Sequence, residues 1–199
     1  MASIVPGYEN DIFISYRQKD NKYDGWVTEF VGNLRKELEA TFKEDITIYF
    51  DENPHDGLLD HHDVNRSLEG KLNCLVFLPI ISQTYCDPRS FAWQFEFKRF
   101  AELTRTDTLG QYVELQNGNQ ANRILPIIIH QLDAEDENLL ESVLQTKVRG
   151  IDFTYRSPGI NRPLTPADTA HEHAGRTTYR NQLNKTANAI KDLVRSIQH

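Results

Sequence analysis

The chain has 199 residues, the size of one ordinary globular domain, so a pair of packed domains is not expected. With 39% hydrophobic and 26% charged residues it has enough apolar mass for a core, which excludes collagen-like and wholly disordered chains. A formal charge of -7 repels polyanions and weighs against nucleic acid as a partner.

The first predicted element is a strand, Asp11-Ile12-Phe13-Ile14-Ser15-Tyr16, short, β-branched and aromatic, ended by the polar run Arg17 to Asn21. Between Asp24 and Thr41, Trp26, Val27, Phe30, Val31, Leu34 and Leu38 recur at three and four residues and build one apolar helical face, with Asp24 as N-cap. Ile46 to Phe50 reads as a second strand. A polar loop with Pro54 and Gly57 and a short helix over about Val64 to Leu68 follow. Leu72 to Ile81 is nearly all apolar, as expected of a strand buried on both faces of a parallel sheet. Phe91, Trp93, Phe95, Phe97, Phe100 and Leu103 predict a helix over Ser90 to Leu103 with more than one buried side.

Leu109 to Asn122 is polar and reads as a surface excursion, before Ile124 to Ile129 supplies another strand. Asp133 to Leu144 is an acidic helix, Val148 to Phe153 a last short strand, Arg156 to Ala174 a loop, and Thr178 to Ile197 a closing amphipathic helix. Strands alternating with helices, over crossovers too long for hairpins, predict an α/β fold: a five-stranded parallel sheet in flavodoxin-like order, with helices on both faces. Ligands of such sheets bind beyond the carboxyl ends of the strands where the order reverses, so the loops after Tyr16, Phe50 and Ile81 are where chemistry is expected. The expectation is a single domain over 1–199, with a core at about 8–155, a loop at 156–174 and a closing helix at 175–197.

Tyr8 to Arg17, with Ser15-Tyr16 closing the strand, resembles the first box of a TIR domain. Ile48-Tyr49-Phe50-Asp51 and its Gly57-bearing loop resemble the family's second strand and BB loop. Leu75 to Tyr85 resembles the third strand and its exit, and Ser90-Phe91-Ala92-Trp93-Gln94-Phe95-Glu96 resembles the helix that carries the family's catalytic glutamate. The four stretches lie in order, with family-like spacing, across about residues 8 to 155.

Many bacterial TIR domains cleave NAD at the nicotinamide-ribose bond, and the resemblance implies that activity here, with antiphage signalling as its setting. It implies Glu96 as the catalytic carboxylate, stabilising an oxocarbenium-like ribose as nicotinamide leaves. Phe13, Ser15, Tyr16, Arg17, Asp51 and Trp93 are the implied substrate-binding residues, Arg17 as a guanidinium for a diphosphate oxygen. NAD is the substrate, with no cofactor and no metal, since nicotinamide is already a cationic leaving group. The family often places Trp four and Cys three residues before the glutamate, whereas here Ala92 and Trp93 hold those positions. A ring moved one residue along a helix turns by about 100°, which leaves Trp93 open to a core role as well as a stacking one.

The resemblance also implies self-association through TIR-TIR contacts, with the BB loop at about Asp51–Asp63 as contact surface; a non-catalytic assembly module is therefore the alternative reading. His55, His61 and His62 crowd that loop among Asp51, Asp56, Asp60 and Asp63, but they form no i, i+4 pair and match no ligand spacing, so a solvated loop is expected. No apolar run approaches the roughly 20 residues of a membrane helix, and the opening residues lack a signal peptide's basic start and apolar stretch. A cytoplasmic protein without a membrane partner, with Cys74 and Cys86 as reduced thiols, is the expectation.

Overall fold

In the computed structural model, which describes residues 2–52, 68–169 and 177–199, five parallel strands form the central sheet. They are β1 (Asn10–Ser15), β2 (Ile48–Tyr49), β3 (Cys74–Ile81), β6 (Ile127–Ile128) and β7 (Ile151–Asp152), in the order β2-β1-β3-β6-β7. This is the flavodoxin-like order, with its reversal between β1 and β3. The helices are α1 (Trp26–Thr41), α2 (Lys98–Leu103), α3 (Ala134–Leu144) and α4 (Tyr179–Gln198).

Strand alternation sorts the core into two layers. Ile12 and Ile14 of β1 and Val76, Leu78 and Ile80 of β3 face α1 and α4, where Val27, Phe30, Leu34, Ile190 and Val194 are buried. Phe13, Phe77 and Ile81 face the opposite layer, with Phe97, Phe100, Leu140 and Leu144. Register places Tyr49, Phe13 and Phe77 side by side across β2, β1 and β3, and their rings stack at 4.9 and 5.4 Å. Phe100 of α2 continues the row onto Phe77 at 4.8 Å.

Several boundaries depart from expectation for local reasons. Asp24 is not the N-cap of α1: Gly25 is, in the left-handed region at φ 71°, while Asp24 Oδ1 accepts from the Trp26 N–H. The expected strand from Ile124 shortens to Ile127–Ile128, although Ile124 already bridges to Phe77, because Pro126 has no N–H for the ladder. The outer strands are likewise shorter than expected, at Ile48–Tyr49 and Ile151–Asp152.

Two expected loops contain hairpins. β4 (Tyr112–Glu114) pairs with β5 (Gln120–Asn122) inside the polar excursion, and β8 (Thr154–Ser157) with β9 (Ile160–Pro163) inside the long loop after β7. Their turns hold Gly118 and Gly159 at positive φ, and their strands are too polar and short for a periodicity signal. The expected helix over Val64 to Leu68 lies outside the described residues except at Leu68, which is helical. Asp133 and Thr178 cap α3 and α4, accepting from the backbone N–H groups of Asp136 and Asn181.

Candidate active site at the carboxyl rim of the sheet

Period two along β1 points Ser15 to the same face as Phe13, toward the helical layer, and sends Tyr16 to the face of α1. On Ser15's side stands the segment Ala92–Phe97, a π-helical turn that runs directly into α2. Ser90 Oγ accepts from the Trp93 N–H at its start, and the Lys98 N–H reaches the Trp93 carbonyl five residues back rather than four. The widened turn admits one extra residue and buries Trp93, Glu96 and Phe97 together, a local geometry common at functional positions.

Glu96 is 8% exposed, and its Oε2 accepts the Ser15 hydroxyl at 2.5 Å. The Tyr85 hydroxyl lies 2.8 Å from the same Ser15 oxygen. Ser15 has a single hydroxyl proton, already directed to Glu96, so Tyr85 must donate to Ser15. The result is a directed chain, Tyr85 to Ser15 to Glu96, ending on a carboxylate oxygen whose negative charge it stabilises. Burial and the nearby Glu96 charge push the Tyr85 phenol well above its ordinary range, which keeps it a donor. The Tyr85 ring is held edge-on by Trp93 and Phe97, at centroid distances of 6.3 and 6.0 Å.

Arg17 continues the alternation beyond β1 and is 4% exposed. Its guanidinium donates to the Thr84 carbonyl at 3.1 Å and lies 3.5 Å from Asp87 Oδ2. Hydrogen bonds from the Arg89 backbone and side chain, and then Arg17, hold the Asp87 carboxyl below the usual carboxylate range. The loops leaving β1 and β3 are clamped together by Asp20, whose two oxygens accept the hydroxyls of Ser82 at 2.5 Å and Thr84 at 2.8 Å. Burial raises the Asp20 carboxyl against those two hydrogen bonds and the charges of His130 and Arg17. His130, two residues past β6, has an imidazole lowered by burial, against the pull of Asp20.

The remaining expected residues have varied placements. Phe13 is wholly enclosed between Tyr49 and Phe77, so it supports Ser15 from within the core. Trp93 is 3% exposed against Tyr85 and Phe97, a packing position behind the glutamate. Tyr16 is buried, its ring 5.3 Å from that of Phe50 and its hydroxyl donating to the Asp51 carbonyl; the Asp51 side chain is exposed. The structure therefore brings Glu96 onto Ser15 at the end of β1, with Arg17 two residues further on and bonded to the loop after β3. The greater part of the expected contact loop, with its three histidines, lies outside the described residues; among the described residues no group of His, Cys, Asp and Glu could hold a metal.

Tyr85, Asp20 and His130 are not among the site residues expected from the sequence. Tyr85 lay in the strand exit already singled out, and its signal was a hydroxyl-bearing run, Ser82 to Tyr85, where a fully apolar strand meets the switch point. Asp20 and His130 carried no comparable signal, because they meet only through the sheet order.

No family model matches the chain, and no curated protein matches it. Among the described residues no helix is long and apolar enough to cross a membrane.

Proposed function

We propose that the chain is a TIR-type enzyme that consumes NAD in the cytoplasm, cleaving the nicotinamide-ribose bond in a bacterial antiphage signalling role. The observation that carries this reading is the buried Glu96 carboxylate, held at the carboxyl rim of the sheet by the donor chain from Tyr85 through Ser15. It stands beside the switch point, where sheets of this order take their ligands. In the proposed reaction the C–N bond breaks with its electron pair leaving on nicotinamide. The ribose carbon becomes oxocarbenium-like, and the fixed carboxylate stabilises that charge where it develops. Attack by water gives ADP-ribose, and attack by a group of the same molecule gives a cyclic isomer. Arg17 is suited to a diphosphate oxygen, which would take the place of its 3.5 Å contact with Asp87.

Chromatography of purified protein incubated with NAD tests the reading. Nicotinamide should appear together with ADP-ribose or its cyclic isomer, and Glu96→Gln should slow release by about 100-fold or more while keeping the melting temperature close to that of the parent. A wild-type protein that leaves NAD intact overturns the proposed activity, and a Glu96→Gln variant of undiminished rate overturns the assigned residue.

A further inference from the structure

At the opposite end of the sheet, where β6 and β7 begin, a cleft of about 340 Å³ opens between the β4-β5 hairpin, the loop after α3 and the face of α4. Such a volume is at the small end of ordinary ligand sites, roughly 300–1,000 Å³. Leu125, Leu144 and Leu193 give it an apolar wall. Lys147 and Arg149, both exposed, stand at its rim on the loop entering β7, and neither forms an ion pair among the described residues. A polar annex continues the cleft along α4 past Asp192 to Arg195 and Ser196. There the Arg195 Nε and Ser196 Oγ are buried without a hydrogen-bond partner among the described residues.

Two features agree on the kind of ligand. Lys147, Arg149 and Arg195 outnumber the one carboxylate of the lining, Asp192, in a chain whose net charge is -7, so the cleft is a local reversal of the global field. The leucine wall rewards an apolar body rather than a bare ion. We propose that this cleft is a second ligand site, taking a small organic anion whose acidic group meets Lys147 and Arg149 while its apolar body lies on the leucine wall. Its place at the amino ends of β6 and β7 keeps it apart from Glu96, so it admits a molecule other than the one cleaved.

Titration calorimetry with 2-naphthyl phosphate, 2-naphthol and inorganic phosphate tests it on the full chain. Naphthyl phosphate should bind saturably at one site, at least about tenfold tighter than either of the other two. A Lys147→Ala/Arg149→Ala double variant should lose about tenfold for naphthyl phosphate and little for naphthol, and Ala189→Trp, which fills the cleft from α4, should remove binding of both aromatic probes. Glu96→Gln should bind naphthyl phosphate like the parent, which keeps this outcome separate from that of the proposed catalysis. Equal affinity for the three probes, absence of saturable binding, or an unchanged affinity in the double variant overturns the proposal.

Discussion

Ser15 shows how much a single hydroxyl can organise. It accepts from Tyr85 and donates to Glu96, so its removal strands a buried phenol and takes one donor from a buried carboxylate. Ser15→Ala should cost about 1–3 kcal/mol in denaturant unfolding, whereas Tyr85→Phe, which leaves the Ser15–Glu96 bond intact, should cost less. A Ser15→Ala protein as stable as the parent would show that the chain is not coupled to the fold. Asp168 offers a separate titration test. Paired bidentately with Arg162 and accepting from Thr165, it is held down to about 2 from 3.8. A depressed carboxyl stabilises the fold above its unfolded value and loses that contribution as pH falls through the folded one. The melting gap between parent and Asp168→Asn should therefore be full above about pH 5 and close toward pH 2. Because the Arg162 side chain is half-exposed, the gap should correspond to only about 1 kcal/mol.

Among the elements, the segment from Ala92 to Leu103 illustrates a limit of periodic reasoning. Its apolar spacing announces a helix with several buried sides, but the π-helical turn depends on Trp93, Glu96 and Phe97 meeting partners on β1 and the loop after β3, which no local pattern encodes. The polar excursion before β6 is similar. It is anchored by Arg123, 1% exposed, whose guanidinium bonds Asp107 and the carbonyls of Cys74, Leu75 and Gly110. The join between β6 and β7 is sterically tight: a Cβ on Gly150 would lie 2.6 Å from the Pro126 carbonyl oxygen and 3.0 Å from the Pro126 Cβ. Gly150→Ala should therefore destabilise by about 1–3 kcal/mol in urea unfolding. An unchanged midpoint would mean that the edge strand moves freely to admit the methyl.

Across the whole molecule, Trp26 joins the parts that are most distant in sequence. Its ring stacks on Phe30 at 5.2 Å and meets Phe153 and Tyr179 edge-on, and its Nε1 donates to the Leu164 carbonyl. α1, the segment after β7 and α4 thus share one aromatic knot. Trp26→Ala should cost about 3–5 kcal/mol and lower the melting temperature of the chain as a unit, read by circular dichroism. Retention of the parent's melting temperature would show that α4 docks independently of this contact.

Buried strands and amphipathic helices write their burial into hydrophobic period, and long crossovers forbid hairpin pairing, so the central parallel sheet and the long helices are legible in the sequence, whereas the two polar hairpins and the π-helical turn are not. The flavodoxin-like order followed from the same logic, and with it the rim where Ser15, Arg17 and Glu96 stand. Tertiary structure alone decided that Phe13 and Trp93 are packed behind that rim, that Tyr85 donates through Ser15, and that Asp20 clasps the exits of β1 and β3. It also set Lys147 and Arg149 at the rim of one cleft with the leucine wall. Polar contacts between residues tens of positions apart have no period. They exist only once the sheet has brought strand ends together, and the energy of a buried hydrogen bond depends on which partner arrives there.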